Sequence, residues 1–134
     1  MKKRIFSVVL AVLMMFTFNI GAIAQTPVQP RYNYATSVNA GLEIKSQQAN
    51  CSATVEGLSG VTTRIKTKIT LQKKGLFSWS NETSWTVDVY DDYSSNSYHY
   101  GPLDSDTYRV KVEATVYAGS SSETITTYSS QVKI

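Results

Sequence analysis

An all-β fold, a Greek-key β-sandwich of about seven strands, is what this sequence predicts, and three observations predict it. Side-chain polarity alternates with period two in run after run, and helical spacing never persists. Turn residues interrupt those runs roughly every 8–12 residues. Thr, Val, Ile and Tyr, the residues that suit a pleated, half-buried surface, are abundant, whereas Leu is scarce. Because each run has one apolar and one polar side, two sheets stacked face to face hide the apolar sides most simply. A small closed barrel is the alternative.

The elements begin after a targeting segment. Lys2, Lys3 and Arg4 precede an apolar run from Ile5 to Phe18, broken only by Ser7 and Thr17. Asn19 to Gly21 ends that run, and Ala22 and Ala24 place small side chains where a signal peptidase reads them. This order predicts a secretory signal over residues 1–24, with the cut after Ala24. The apolar run is shorter than the about 20 residues a spanning helix needs, so the membrane is expected to be met only during export. The product is expected to be secreted and free. Residues 25–35, with Pro27 and Pro30, read as an extended lead-in, and residues 36–134 as the sandwich domain.

Val38, Ala40, Leu42 and Ile44 form the apolar side of the first strand. A turn over Ser46–Ala49 leads to a second, in which Cys51, Ala53 and Val55 point inward. A Gly-containing loop over Gly57–Thr62 follows. Ile65, Thr67, Ile69 and Leu71 face in on the third strand, opposite Arg64, Lys66 and Lys68, and Lys73-Lys74-Gly75 ends it. Trp79, Trp85, Val87 and Val89 share one parity and are expected in the core. Asp91–Asn96 reads as a polar turn, and Tyr98 and Tyr100 as a short strand stopped by Gly101-Pro102. Tyr108, Val110, Val112, Ala114 and Val116 alternate most cleanly of all. A hairpin turn around Gly119 leads to the last strand. There the apolar positions Ile125, Tyr128, Val132 and Ile134 change parity, which a bulge would reconcile.

The stretch Leu103 to Ala114, with Thr107-Tyr108-Arg109-Val110-Lys111-Val112 at its centre, resembles the entry to strand F of fibronectin type III and other immunoglobulin-like domains. The resemblance implies an immunoglobulin-like strand order. It also implies that Tyr108 hydrogen-bonds back to the loop before it, a tyrosine corner, with a net contribution of about 1 kcal/mol. A second cysteine to pair with Cys51 is missing, as in the disulfide-free relatives. The wider layout is similar to an uncharacterised family of small secreted proteins of Gram-positive bacteria. The matching features are Cys51-Ser52-Ala53-Thr54-Val55, Leu71-Gln72-Lys73-Lys74, the pair Trp79 and Trp85, and Val116-Tyr117-Ala118-Gly119. That similarity implies secretion and the same sandwich, and no activity.

The whole chain carries 13 basic and 10 acidic residues. Lys2, Lys3 and Arg4 leave with the signal while every acid stays, so the exported part is close to neutral. That speaks against a nucleic-acid partner, which needs a concentrated positive field. The densest basic stretch, Arg64, Lys66, Lys68, Lys73 and Lys74, reads as a solvated strand surface that discourages edge pairing.

Cys51 and His99 are the sole cysteine and histidine. Zinc needs three or four such ligands, so no metal site and no cofactor are expected. Asp91, Asp92, Asp104 and Asp106 sit in turns, where aspartates hydrogen-bond locally, and their spacing matches no calcium loop. No nucleophile stands beside a base, so an enzyme is not expected. The aromatic group Tyr90, Tyr93, Tyr98, His99 and Tyr100 is the candidate recognition surface, because exposed rings make low-entropy contacts. The function expected is a non-catalytic binding module for an extracellular protein or glycan. A self-associating structural protein is the alternative, and a hydrolase the third reading.

Overall fold

The computed structural model describes residues 31–134; the expected signal with Ala22 and Ala24, and the lead-in up to residue 30, lie outside the described residues. The alternating runs become eight strands: β1 (Ala35–Lys45), β2 (Gln48–Gly57), β3 (Arg64–Lys74), β4 (Trp79–Val89), β5 (Tyr93–Tyr100), β6 (Thr107–Ala118), β7 (Ser121–Tyr128) and β8 (Val132–Lys133). One sheet has the order β1-β2-β5, the other β4-β3-β6-β7, with β8 continuing beside β6, and all pairings are antiparallel. The chain crosses between sheets after β2, β4 and β5. The two sheets remain open and pack face to face, so the immunoglobulin-like sandwich holds and the barrel alternative does not.

The apolar parity explains the core. Cys51, Val55, Ile65, Ile69, Leu71, Val110, Val112, Ala114 and Val116 lose all solvent contact between the sheets. On the small sheet small residues of β2 lie beside large ones of β5: Ala49 beside Tyr100, and Cys51 beside Tyr98. Such pairing lets facing layers interdigitate at interior density. Tyr108 is 1% exposed, and its phenol donates to the Asp104 carbonyl at 2.9 Å. This is the corner the resemblance implied. Burial, then the carboxylates of Glu82, Asp104 and Asp106, hold that phenol above its ordinary pKa.

Five details of the sequence reading need correction. The first is Trp79, which is not in the core. Leu71 pairs with Thr83 but Gln72 pairs with Asn81, so Glu82 is an extra residue that reverses the parity of everything before it. Trp85 stays inside while Trp79 swings to the outer surface.

The second is the basic stretch on β3. That strand lies between β4 and β6, so its lysines occupy the middle of a sheet face and guard no edge.

The third is Tyr93–Asn96, which is strand, not turn, paired along β2. Ser and Asn have little strand preference of their own, and the neighbouring backbone supplies the ladder.

The fourth is the parity change in the last strand, which comes from a break at Ser129–Gln131 and not from a bulge. There the Ser129 hydroxyl accepts from the Val110 N–H at 2.8 Å, and the Ser129 N–H donates to the Val110 carbonyl at 2.9 Å. β8 then resumes the pairing with Tyr108.

The fifth is the β1–β2 turn, which is tighter than Ser46–Ala49. Lys45 pairs with Gln48, which leaves Ser46 and Gln47 at φ +49° and +64°. Positive φ at both central residues matches the right-handed twist of the strands, at a cost for two residues that are not glycine. Leu103 secures this turn by donating its N–H to the Gln47 carbonyl at 2.9 Å.

Candidate functional site

The five residues of the expected aromatic surface go to separate places. Alternation along β5 turns Tyr98 and Tyr100 inward against the core and leaves Tyr93 and His99 on the outer side of the small sheet. Tyr98 stacks on Trp85 with ring centroids 5.0 Å apart and planes 8° apart. This stack joins β5 to β4, the flanking strands of opposite sheets, and seals that side of the sandwich. Tyr90 lies past the end of β4, over the guanidinium of Arg64 at 5.1 Å. Period-two geometry therefore divides a group that is compact in sequence.

The aspartates are divided as well. Asp91 and Asp92 precede β5, Asp104 and Asp106 follow it, and eight extended residues separate the two turns. The Asp91 carboxylate accepts from the Asp92 N–H at 2.7 Å, and that of Asp106 from the Thr107 N–H at 2.8 Å. Cys51 lies wholly inside. Burial pushes its thiol up to about 12, so it remains un-ionised and a poor nucleophile at neutral pH. Among the described residues no three His, Cys, Asp or Glu side chains converge in a metal-binding group.

Two other surfaces carry unusual arrangements. The first is the β3–β4 hairpin tip, Gly75-Leu76-Phe77-Ser78. Leu76 is 95% exposed and Phe77 100% exposed. The Gly75 N–H donates to the Ser78 carbonyl at 2.8 Å, and a side chain on Gly75 would come within 2.6 Å of that same oxygen. The turn is thus closed and braced by the Lys74–Trp79 pair below it. Two large apolar side chains stand in water on a fixed support and contribute nothing to the core. Sequence reasoning passed over them because they fall in a gap between strands. The usable signal was an apolar pair where turns carry polar residues.

The second is the outer face of the large sheet. At one end Arg109 lies between the rings of Trp79 and Tyr128, 4.1 and 4.2 Å from their centroids. Its Nε donates to Gln72 Oε1 at 2.8 Å, and Gln72 in turn donates to Asn81 at 3.0 Å. At the other end Arg64 lies between Tyr90 and Tyr117 and bonds both carboxylate oxygens of Asp88, with Nε to Oδ1 at 2.8 Å. That fork holds the Asp88 carboxyl below and the Arg64 guanidinium above their ordinary values. Between the two ladders lie Lys66, Lys68 and a field of threonines.

No family model matches the chain, and no curated protein matches it. Among solved structures, the chain is similar to wild-type OgpA from Akkermansia muciniphila, with 13% identity and a TM-score of 0.46 over 81% of this chain. The matched region spans 30% of that protein.

Proposed function

We propose that this chain is an exported, non-catalytic binding module that seats the Leu76–Phe77 tip in an apolar recess of an extracellular protein. The same proposal includes the kinship with small secreted Gram-positive proteins. The observation that supports it is the pair of fully solvated apolar side chains on a closed, braced turn. A rigid apolar anchor loses little conformational entropy on docking, and anchors of this kind dominate interface energetics. Recognition elements commonly sit on loops carried by a stable scaffold. The pattern of residues 1–24 supports export.

The test compares the protein with Leu76→Ser/Phe77→Ser on arrays of extracellular proteins and of glycans. The two forms are expected to melt together, because neither side chain touches the core. A protein partner should be retained by the first form and lost, by about tenfold or more in affinity, by the second. Equal retention by both forms removes the tip from the function. Sedimentation of the two forms addresses the self-associating alternative: association that rises with concentration and vanishes in the double variant makes a second copy the partner.

A further inference from the structure

We infer that the outer face of the β4-β3-β6-β7 sheet is a second binding surface, shaped for a linear polysaccharide bearing carboxylate or sulfate groups. It is distinct from the hairpin tip and stands whether or not the tip binds. Strand pairing places Arg64, Lys66, Lys68, Arg109 and Lys111 on this face, with Asp88 and Glu113 as its acids. Bases and acids are equal in number over the described residues, so an excess of bases here leaves an excess of acids elsewhere. The described part of the molecule is electrically lopsided although its charges balance in number.

The acids on this face are already engaged. Asp88 is held by Arg64, and Glu113 lies 3.6 Å from Lys111 Nζ. Lys66 and Lys68 form no ion pair among the described residues, although Asp88 and Glu113 are their register neighbours. They are exposed, and side chains two positions apart on one strand face are separated by about 7 Å. Lys66 acts on the Asp88 carboxylate only at a distance, and two cations side by side with no direct ion pair repel each other. An anionic chain laid across the sheet would relieve both.

The remaining surface indicates which anion. A shallow trough of about 310 Å³ runs beside these lysines, lined also by Glu113, Thr115, Tyr117 and Thr124. The hydroxyls of Thr115 and Thr124 lie 3.1 Å apart, and Thr86 and Thr126 continue the hydroxyl surface on the neighbouring strands. A broad, flat, hydroxyl-rich face suits a ribbon of sugar hydroxyls. Single-stranded nucleic acid instead needs a succession of free aromatic platforms for its bases. Here Trp79, Tyr128, Tyr90 and Tyr117 each have a guanidinium against the ring.

The test uses the purified protein with dextran sulfate, polygalacturonate, neutral dextran and duplex DNA as probes. Binding is expected to at least one of the two acidic polysaccharides, to weaken as salt rises, and to be absent for neutral dextran. Lys66→Glu/Lys68→Glu should lower that affinity about tenfold or more. Lys66→Gln/Lys68→Gln should give a smaller loss and covers the case in which the reversed charges disturb folding. Lys45→Glu, on the small sheet, lowers the net charge by as much as the Lys66→Gln/Lys68→Gln pair but away from this face, and should leave binding within about twofold, since separated exposed charges are screened. No binding to either acidic polysaccharide at low salt overturns the inference. So does a loss in the Lys45 variant equal to that of the Lys66→Gln/Lys68→Gln pair, and so does duplex DNA binding as tightly as the polysaccharides.

Discussion

The two faces of the β4-β3-β6-β7 sheet are made by alternate residues of the same strands, and they are held by different physics. Inside, Val110, Val112, Ala114 and Val116 are shut away from water completely. Burial there is non-directional and contributes about 1.5–3 kcal/mol for each large side chain. Outside, Arg109 and Arg64 are each gripped between two rings. Cation–π contacts are directional and contribute about 0.5–2 kcal/mol depending on solvation. The difference teaches that a polar strand face need not be idle. Its ends are organised by stacked guanidinium groups, and its middle is left as open cationic surface.

The largest test of this contrast is Val112→Asp. A carboxylate at the centre of the inner face would have no partner, and isolated buried charge is not tolerated. The domain is expected to lose its cooperative thermal transition by circular dichroism; a folded variant with an unshifted midpoint would mean the inner parity is misassigned.

Next in size is Arg109→Ala, which empties the space between Trp79 and Tyr128 and orphans Gln72 Oε1. A loss of about 1–2 kcal/mol is expected in urea unfolding. Arg109→Lys should recover only part of it, because an ammonium cannot lie flat between two rings. Full recovery by lysine would reduce the ladder to simple charge.

The smallest effect has the opposite sign. Thr67 is buried on the inner face, and its hydroxyl has no hydrogen-bond partner among the described residues. Thr67→Val keeps the shape and removes the unsatisfied oxygen, so a gain of about 1 kcal/mol is expected. A loss of stability would show that this hydroxyl is satisfied after all.

These expectations depend on which side of a strand each residue occupies, and that was mostly legible beforehand. Val38 through Ile44, Cys51 through Val55, Ile65 through Leu71 and Tyr108 through Val116 alternate cleanly, and the structure buries the expected members, Ala40, Leu42 and Ile44 only in part. Two of the errors share one cause. An inserted Glu82 reversed Trp79, and a break at Ser129 reset the last strand, because parity propagates only until one residue is added or unpaired. Tyr93–Asn96 went unseen because pairing with β2, not composition, makes it a strand.

The candidate site was far less legible. Tyr90 to Tyr100 form a compact group in sequence, and strand geometry scatters them to the core, the small sheet and the Arg64 ladder. Leu76 and Phe77 stood in plain view but off the periodic pattern.

Local polarity with period two was enough to predict an all-β fold and its core parity, because each rests on neighbours along one chain; the corner at Tyr108 was implied by the resemblance of Leu103 to Ala114 to immunoglobulin-like domains, and the choice of sandwich over barrel was made by the strand pairing. Which surfaces face solvent together was decided only when distant strands met. Arg64 and Arg109 find their rings across strand pairs, and Lys66 and Lys68 find themselves mid-sheet. Strand order is set by long-range pairing, and no single strand's alternation contains it.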